Sequence, residues 1–254
     1  MALMARYLRR LTQLLFIVLL PVFLVLSNVR WMALDPAIYQ QGFAKHQAVR
    51  DTGLDSRELE LAARQLISYF ADGTPISLQV SKGGVPAPLF NERETSHLAD
   101  VRGLFQLVFR VQEIAGLYIL AYALGSFVAG RRTWLRSQGK LLLASGALTV
   151  GLFLGVYALA SLSFADLFLR FHLLSFRNDL WILDPRTDYL IRMFPQAFWL
   201  DALLEAIVRS LIAAVALALV GLIVLGITRN PIGAPQRMVT HEEHSGAQSI
   251  QAGD

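Results

Sequence analysis

The chain has 254 residues, 55% of them apolar and only 17% charged, with a net charge of +4 and no cysteine. A chain this apolar is not disordered and reads as an integral membrane protein. The lack of thiols excludes disulfides, Cys-ligated metal and a cysteine nucleophile, and so small a charge gives no reason to invoke nucleic acid.

Four stretches are apolar and long enough to cross a hydrocarbon core, which takes about 20 helical residues. They are Leu11–Val29, Ile114–Gly130, Leu141–Leu162 and Ala206–Ile227. The first follows Arg6, Arg9 and Arg10, as a signal peptide would, but SNVRWMALDP offers no A-x-A site after it. It is expected to be a retained anchor. The linker RRTWLRSQGK carries four basic residues and no acid, whereas Arg30–Glu113 holds nine Lys/Arg against ten Asp/Glu and Ser163–Leu204 four against five. The positive-inside rule then places both termini and the linker in the cytoplasm and both larger loops outside.

The first outward loop reads as a small domain. A helix is expected from Asp55 or Ser56, with Leu59, Ala62, Ala63, Leu66, Ile67 and Phe70 on one stripe and Gly73 as its stop. ISLQV and VPAPLF, separated by SKGG, read as a hairpin whose second strand Pro86 and Pro88 confine to an edge. Asn91 can cap the next helix with Glu94 as capping-box partner, and this helix is expected to run on into the second span. It carries His97 and Asp100 on one face.

In the third span, Gly151 and Gly155 have the spacing that lets two membrane helices approach closely. Beyond it, FHLLSFRNDLWILDPRTDYLIRMFPQAFW interleaves aromatic residues with Arg and Asp, so it is expected to lie at the outer membrane surface, broken at Pro185 and Pro195. The expected fold is an all-α membrane protein: four transmembrane helices, a small outward-facing α+β insertion between spans 1 and 2, and an interfacial segment between spans 3 and 4. Residues 1–230 would form one membrane domain, and the polar stretch 231–254 a disordered cytoplasmic tail.

Several catalytic patterns fail. No G-x-S-x-G elbow is present. HEEH at His241–His244 spaces its histidines three apart, where a zincin helix needs four. HQAVRD at His46–Asp51 fits the loose His-x4-Asp pattern of glycerolipid acyltransferases, but no phosphate-binding element follows, and coincidence is the better reading. The spans themselves hold no ionisable residue away from their boundaries that would mark a transport pathway. His97 and His172 stand apart: each lies near a membrane boundary, on the same side, among ionisable neighbours. Glu94, Arg93 and Asp100 surround the first, and Arg177 and Asp179 follow the second.

FNERETSHLADV together with the FHLLSFRNDLWILDPRTDYLIRMFPQAFW segment resembles the family of four-span bacterial membrane proteins that includes the lipoprotein intramolecular transacylase. The resemblance implies a bacterial cell-membrane acyltransferase with lipoprotein and membrane lipid as partners and no cofactor or metal. It would move one acyl chain of a diacylglyceryl-cysteine onto that cysteine's α-amino group. It also implies that His97 and His172 correspond to the family's two essential histidines. Their chemistry suits aminolysis of an ester, which needs a base for the amine and a donor for the oxyanion and the leaving glycerol oxygen. His97 is assigned as base and His172 as electrophile or acid, an assignment that could be reversed. Asp100, Glu94 and Asp179 are candidates to orient the rings, Arg93 and Arg177 to stabilise charge, and Trp181 to help form a slot for acyl chains. Arg93, Arg102, Asp188 and Arg192 would staple the two loops by ion pairs. Two other readings are a metal-dependent membrane hydrolase using the same histidines, and a sensor or assembly protein in which both histidines are dispensable.

Overall fold

The structure, a computed structural model, describes residues 2–129 and 131–229. Four helices are long and apolar enough to cross a membrane: α1 (Ala2–Leu34), α5 (Glu92–Ala129), α6 (Arg131–Leu162) and α9 (Gln196–Arg229). Each is longer than the apolar stretch that announced it. The HEEH motif and the tail assigned to disorder lie outside the described residues.

Between α1 and α5 sits the insertion: α2 (Pro36–Lys45), α3 (Ala48–Thr52), α4 (Ser56–Ala71) and the hairpin β1 (Gln79–Lys82) with β2 (Val85–Pro88). Asp55 caps α4 in a full capping box with Glu58, and Leu59, Ala62, Ala63, Leu66 and Phe70 are buried along one stripe. The strands pair antiparallel, with Lys82 opposite Val85. Only Gly83 and Gly84 form the turn, both at positive φ, which a two-residue hairpin loop of this kind demands. Ser81 and Lys82 of the expected linker therefore belong to the first strand.

The insertion shares one core with the segment before α9. Tyr39, Phe43, Leu66, Leu89, Leu98, Met193, Phe194 and Phe198 are all buried in it. Between α6 and α9 lie α7 (Phe164–Ser175) and the single turn α8 (Tyr189–Met193). Ser163 caps α7 by accepting the Asp166 N–H, so the chain turns out of α6 and restarts as a new helix.

The expected packing at Gly151 and Gly155 is not found: a Cβ added at either meets nothing within 4 Å. The close approach of α6 to α9 runs through Gly139, Gly146 and Gly221 instead. A Cβ on Gly221 would sit 2.7 Å from the Gly139 carbonyl oxygen, and one on Gly146 2.9 Å from that of Ala214. Gly139 and Gly146 are seven residues apart and share a face. Gly151 and Gly155 lie roughly a third of a turn or more around the helix from that seam.

Candidate active site

α5 begins with the expected box. Asn91 Oδ1 accepts the Glu94 N–H at 2.9 Å, and Glu94 Oε2 accepts the Asn91 N–H at 2.8 Å. The other carboxylate oxygen of Glu94 accepts the Leu190 N–H at 2.7 Å, and Asn91 Nδ2 donates to Asp188 Oδ1 at 2.9 Å. The helix start is thus fastened to the start of α8. His97 follows in the second turn of α5, ahead of that helix's apolar stretch.

His172 comes from the last turn of α7. The two imidazoles, 7% and 8% exposed, face each other with ring centroids 6.3 Å apart and planes tilted by 32°. Aromatic rings pack around them. Phe176 lies edge-on to His97 at 5.1 Å. Phe168, Phe171 and Trp181 stand 4.4, 5.3 and 5.0 Å from His172.

The hydrogen bonds distinguish the two rings. His172 Nδ1 lies 2.7 Å from the Phe168 carbonyl oxygen. A carbonyl only accepts, so Nδ1 carries the proton and, in the neutral ring, Nε2 keeps its lone pair. His97 Nδ1 is buried with no hydrogen-bond partner among the described residues. Burial, reinforced by the neighbouring His172, lowers the His97 pKa from 6.5 to about 4 despite the opposing field of Asp100. His97 is therefore a neutral imidazole at physiological pH, with a polar atom that calls for a partner.

A family model described as lipoprotein intramolecular transacylase Lit matches residues 14–199. The chain belongs to the lipoprotein intramolecular transacylase family. Its fold is that of Lit from Bacillus cereus solved in meso, with a TM-score of 0.74 at 16% identity over 88% of this chain and 98% of that one. Two variants of the same Bacillus cereus protein, with a histidine replaced by arginine or by alanine, each give 0.71 at 16% identity over 90% of this chain. They are covered over 96% and 98% of their lengths. No curated protein matches. Like that integral membrane Lit, this family member is a multi-pass membrane protein, with four apolar helices of spanning length.

In this Lit-family chain the other candidates named from sequence take distinct places. Trp181 packs on His172. Asp100 lies near enough to His97 to act on its charge, but its Oδ2 accepts the Asn178 side-chain N–H at 2.9 Å. Glu94 serves the backbone and makes no bond to an imidazole. Arg93 donates to the Asp179 carbonyl oxygen at 2.7 Å. The exposed side chains of Arg177 and Asp179 make no hydrogen bond to either ring.

The expected ion-pair staples are hydrogen bonds in the structure. Arg93, Arg102 and Arg192 donate to backbone carbonyls, and Asp188 accepts from Asn91, Thr187 and the Asp184 N–H. None of the four is in a salt bridge among the described residues.

His46 and Asp51 do not pair. His46 Nε2 meets Asp201 Oδ2 at 2.7 Å, while Asp51 takes the neighbouring Arg50. No group of three His, Cys, Asp or Glu side chains is placed to hold a metal ion among the described residues. Sequence reasoning expected Phe168, Phe171 and Phe176 in the membrane-surface stretch but gave them no individual place at the histidines, and it passed over Asn178. The first three are visible in hindsight as aromatic neighbours of His172 at i−4, i−1 and i+4, but nothing marks Asn178 beyond its place in the charged segment.

Proposed function

We propose that this protein is a lipoprotein intramolecular transacylase that moves one acyl chain from the diacylglyceryl group to the α-amino group of the N-terminal cysteine. The reading carries with it a bacterial cell membrane, cytoplasmic termini and a site on the outer face, as the basic α5–α6 linker favours. The single supporting observation is the pair of buried imidazoles, delivered by different helices and facing each other inside an aromatic box.

The chemistry needs one proton to leave the amine nitrogen and one to reach the glycerol oxygen. As the neutral amine attacks the ester carbonyl, a C–N bond forms and the C–O bond to glycerol breaks. His172 acts as the base, because its Nδ1–H is held by the Phe168 carbonyl and its Nε2 lone pair is left for the amine proton. His97, kept neutral by burial, acts as the electrophile, its N–H hydrogen-bonding the developing oxyanion, while His172 returns the amine's proton to the departing glycerol oxygen, so that both rings end neutral. This reverses the assignment favoured from sequence, because only His172 has a carbonyl that fixes its tautomer.

No enzyme nucleophile is needed. Amine and ester belong to one molecule, so positioning supplies much of the acceleration. Phe168, Phe171, Phe176 and Trp181 line the apolar side of the site, where acyl chains would lie.

The test is expression of the chain in cells whose lipoproteins carry only the diacylglyceryl group, followed by fragmentation mass spectrometry of the N-terminal peptide. The total mass stays constant while one acyl group moves from glycerol to nitrogen. Fragments with both acyl groups still on glycerol would overturn the proposal.

A further inference from the structure

At the end of the bundle that carries the insertion, three spans meet at one level. Arg30 Nη1 lies 2.6 Å from Glu113 Oε1 and 3.0 Å from Gln112 Oε1. Asn28 Nδ2 donates to Ser210 Oγ at 2.9 Å, and the Arg209 guanidinium lies 4.0 Å from the Trp31 ring centroid. These residues stand where the apolar stretches of α1, α5 and α9 end, so they mark a membrane boundary, the depth that Trp and Arg favour.

An open groove of about 570 Å³ lies there, lined by Ser27, Arg30, Trp31, Leu34, Asp35 and Gln112 among others. It is distinct from the histidine pair. Gln112 is fifteen residues beyond His97 on α5, about 22 Å along the axis.

The groove has donors to spare. Arg30 uses only Nη1 for hydrogen bonds, its guanidinium resting 4.9 Å from the Phe109 ring centroid. Its Nε–H and Nη2–H groups, and the indole N–H of Trp31, have no acceptor among the described residues. Gln112, by contrast, is used at both ends, receiving from Arg30 and donating to Ser27 Oγ at 3.2 Å. Free guanidinium and indole N–H groups suit phosphate oxygens. Charge narrows the ligand further. Arg30 is paired with Glu113, and Arg209, over Trp31, with Glu205, whereas Asp35 in the lining makes no ion pair among the described residues; that disfavours a purely anionic headgroup and favours one that also carries an ammonium. One Asp35 oxygen caps α2 through the Ala37 N–H, and the other has no partner of its own among the described residues.

We propose that this groove binds a bilayer phospholipid with a phosphoethanolamine headgroup, its phosphate on Arg30 and Trp31 and its ammonium toward Asp35. The occupant is a lipid because the groove opens at the depth where these spans leave the membrane, with Leu34 and Trp31 forming an apolar wall.

The test is native mass spectrometry of the full chain in detergent. It is titrated in parallel with dioleoylphosphatidylethanolamine, dioleoylphosphatidylglycerol and dioleoylglycerol, which share the same acyl chains. The ethanolamine lipid is expected to bind most tightly, and Arg30→Gln and Trp31→Phe each to weaken it about 10-fold. Trp31→Phe keeps the ring under Arg209 and guards against misfolding of the Arg30 variant. Equal or tighter binding of the glycerol phospholipid or of dioleoylglycerol, or unchanged binding by Trp31→Phe, would overturn the proposal. The readout is lipid affinity alone, so it stands or falls independently of the acyl-transfer chemistry.

Discussion

Glu94 accepts the main-chain N–H of Leu190, ninety-six residues away, and through its other oxygen that of Asn91, three residues back. One buried carboxylate therefore joins the start of the helix that bears His97 to the end of the segment that closes over the histidines. Removing it leaves two N–H groups without acceptors. Glu94→Ala is expected to cost about 3 kcal/mol or more of stability, and Glu94→Gln, which retains one acceptor oxygen, about half that. Arg93→Ala, whose partner is an exposed carbonyl, should cost less than about 1 kcal/mol. Thermal unfolding in detergent ranks the three, and limited proteolysis between 176 and 190 reports whether the segment loosens.

The two histidines should respond differently to substitution. If His172 is the base, His172→Gln removes the lone pair that takes the amine proton and should lower acyl transfer by about 10² to 10⁴. His97→Gln keeps an N–H donor and should retain more activity than His97→Ala, which loses about 10² to 10³. Single-turnover assays on a diacyl lipopeptide compare them. Equal loss in His97→Gln and His97→Ala would refute the donor role.

Protonation of His97 gives a third test. Its folded pKa of about 4 lies below the ordinary 6.5, so between these values the unfolded chain takes up a proton that the folded protein refuses. Its effect is absent above pH 6.5, and stability declines as the pH falls from there toward 4. Imidazole ¹⁵N shifts of His97 should report a neutral ring at pH 5.5, where a solvent-exposed histidine is mostly charged. The His97→Phe variant should lose this component of the acid sensitivity.

The helix seam makes a fourth. Gly221→Ala places a methyl 2.7 Å from a carbonyl oxygen and 3.0 Å from the Leu143 nitrogen, contacts that only backbone movement relieves. A loss of about 1–3 kcal/mol is expected. Gly151→Ala meets nothing and should leave the melting temperature unchanged or raise it slightly.

Much of the architecture was legible because it rests on local rules. Apolar length marked the spans, the Asn91–Glu94 box started α5, and the stripe on α4 packed as its period demanded. The glycine seam was misread because spacing along one helix carries no information about which face meets a neighbour. The site was half legible. His97 and His172 drew notice through their charged surroundings, yet none of those charged side chains hydrogen-bonds either ring: Glu94 and Arg93 serve the backbone, and Asp100 takes Asn178. What surrounds the imidazoles is aromatic, and in a membrane protein rich in Phe and Trp such residues carry no distinguishing mark. The tautomer of His172 depends on a carbonyl one helical turn away, which becomes relevant only once α7 is known to be a helix.

α5 has no joint between its Asn91 cap and Ala129. His97 therefore rides on one continuous helix with the second span, while His172 rides on α7, which restarts at the Ser163 cap. With about 25 Å of arm beyond the apolar stretch, a change of roughly 5° in tilt would shift His97 by about 2 Å. A shift of that size exceeds the margin between a made and a broken hydrogen bond. Mismatch between a span and its bilayer is one input to helix tilt, so membranes of different thickness are expected to alter the gap between the rings to the extent that the Glu94 tie lets α5 move.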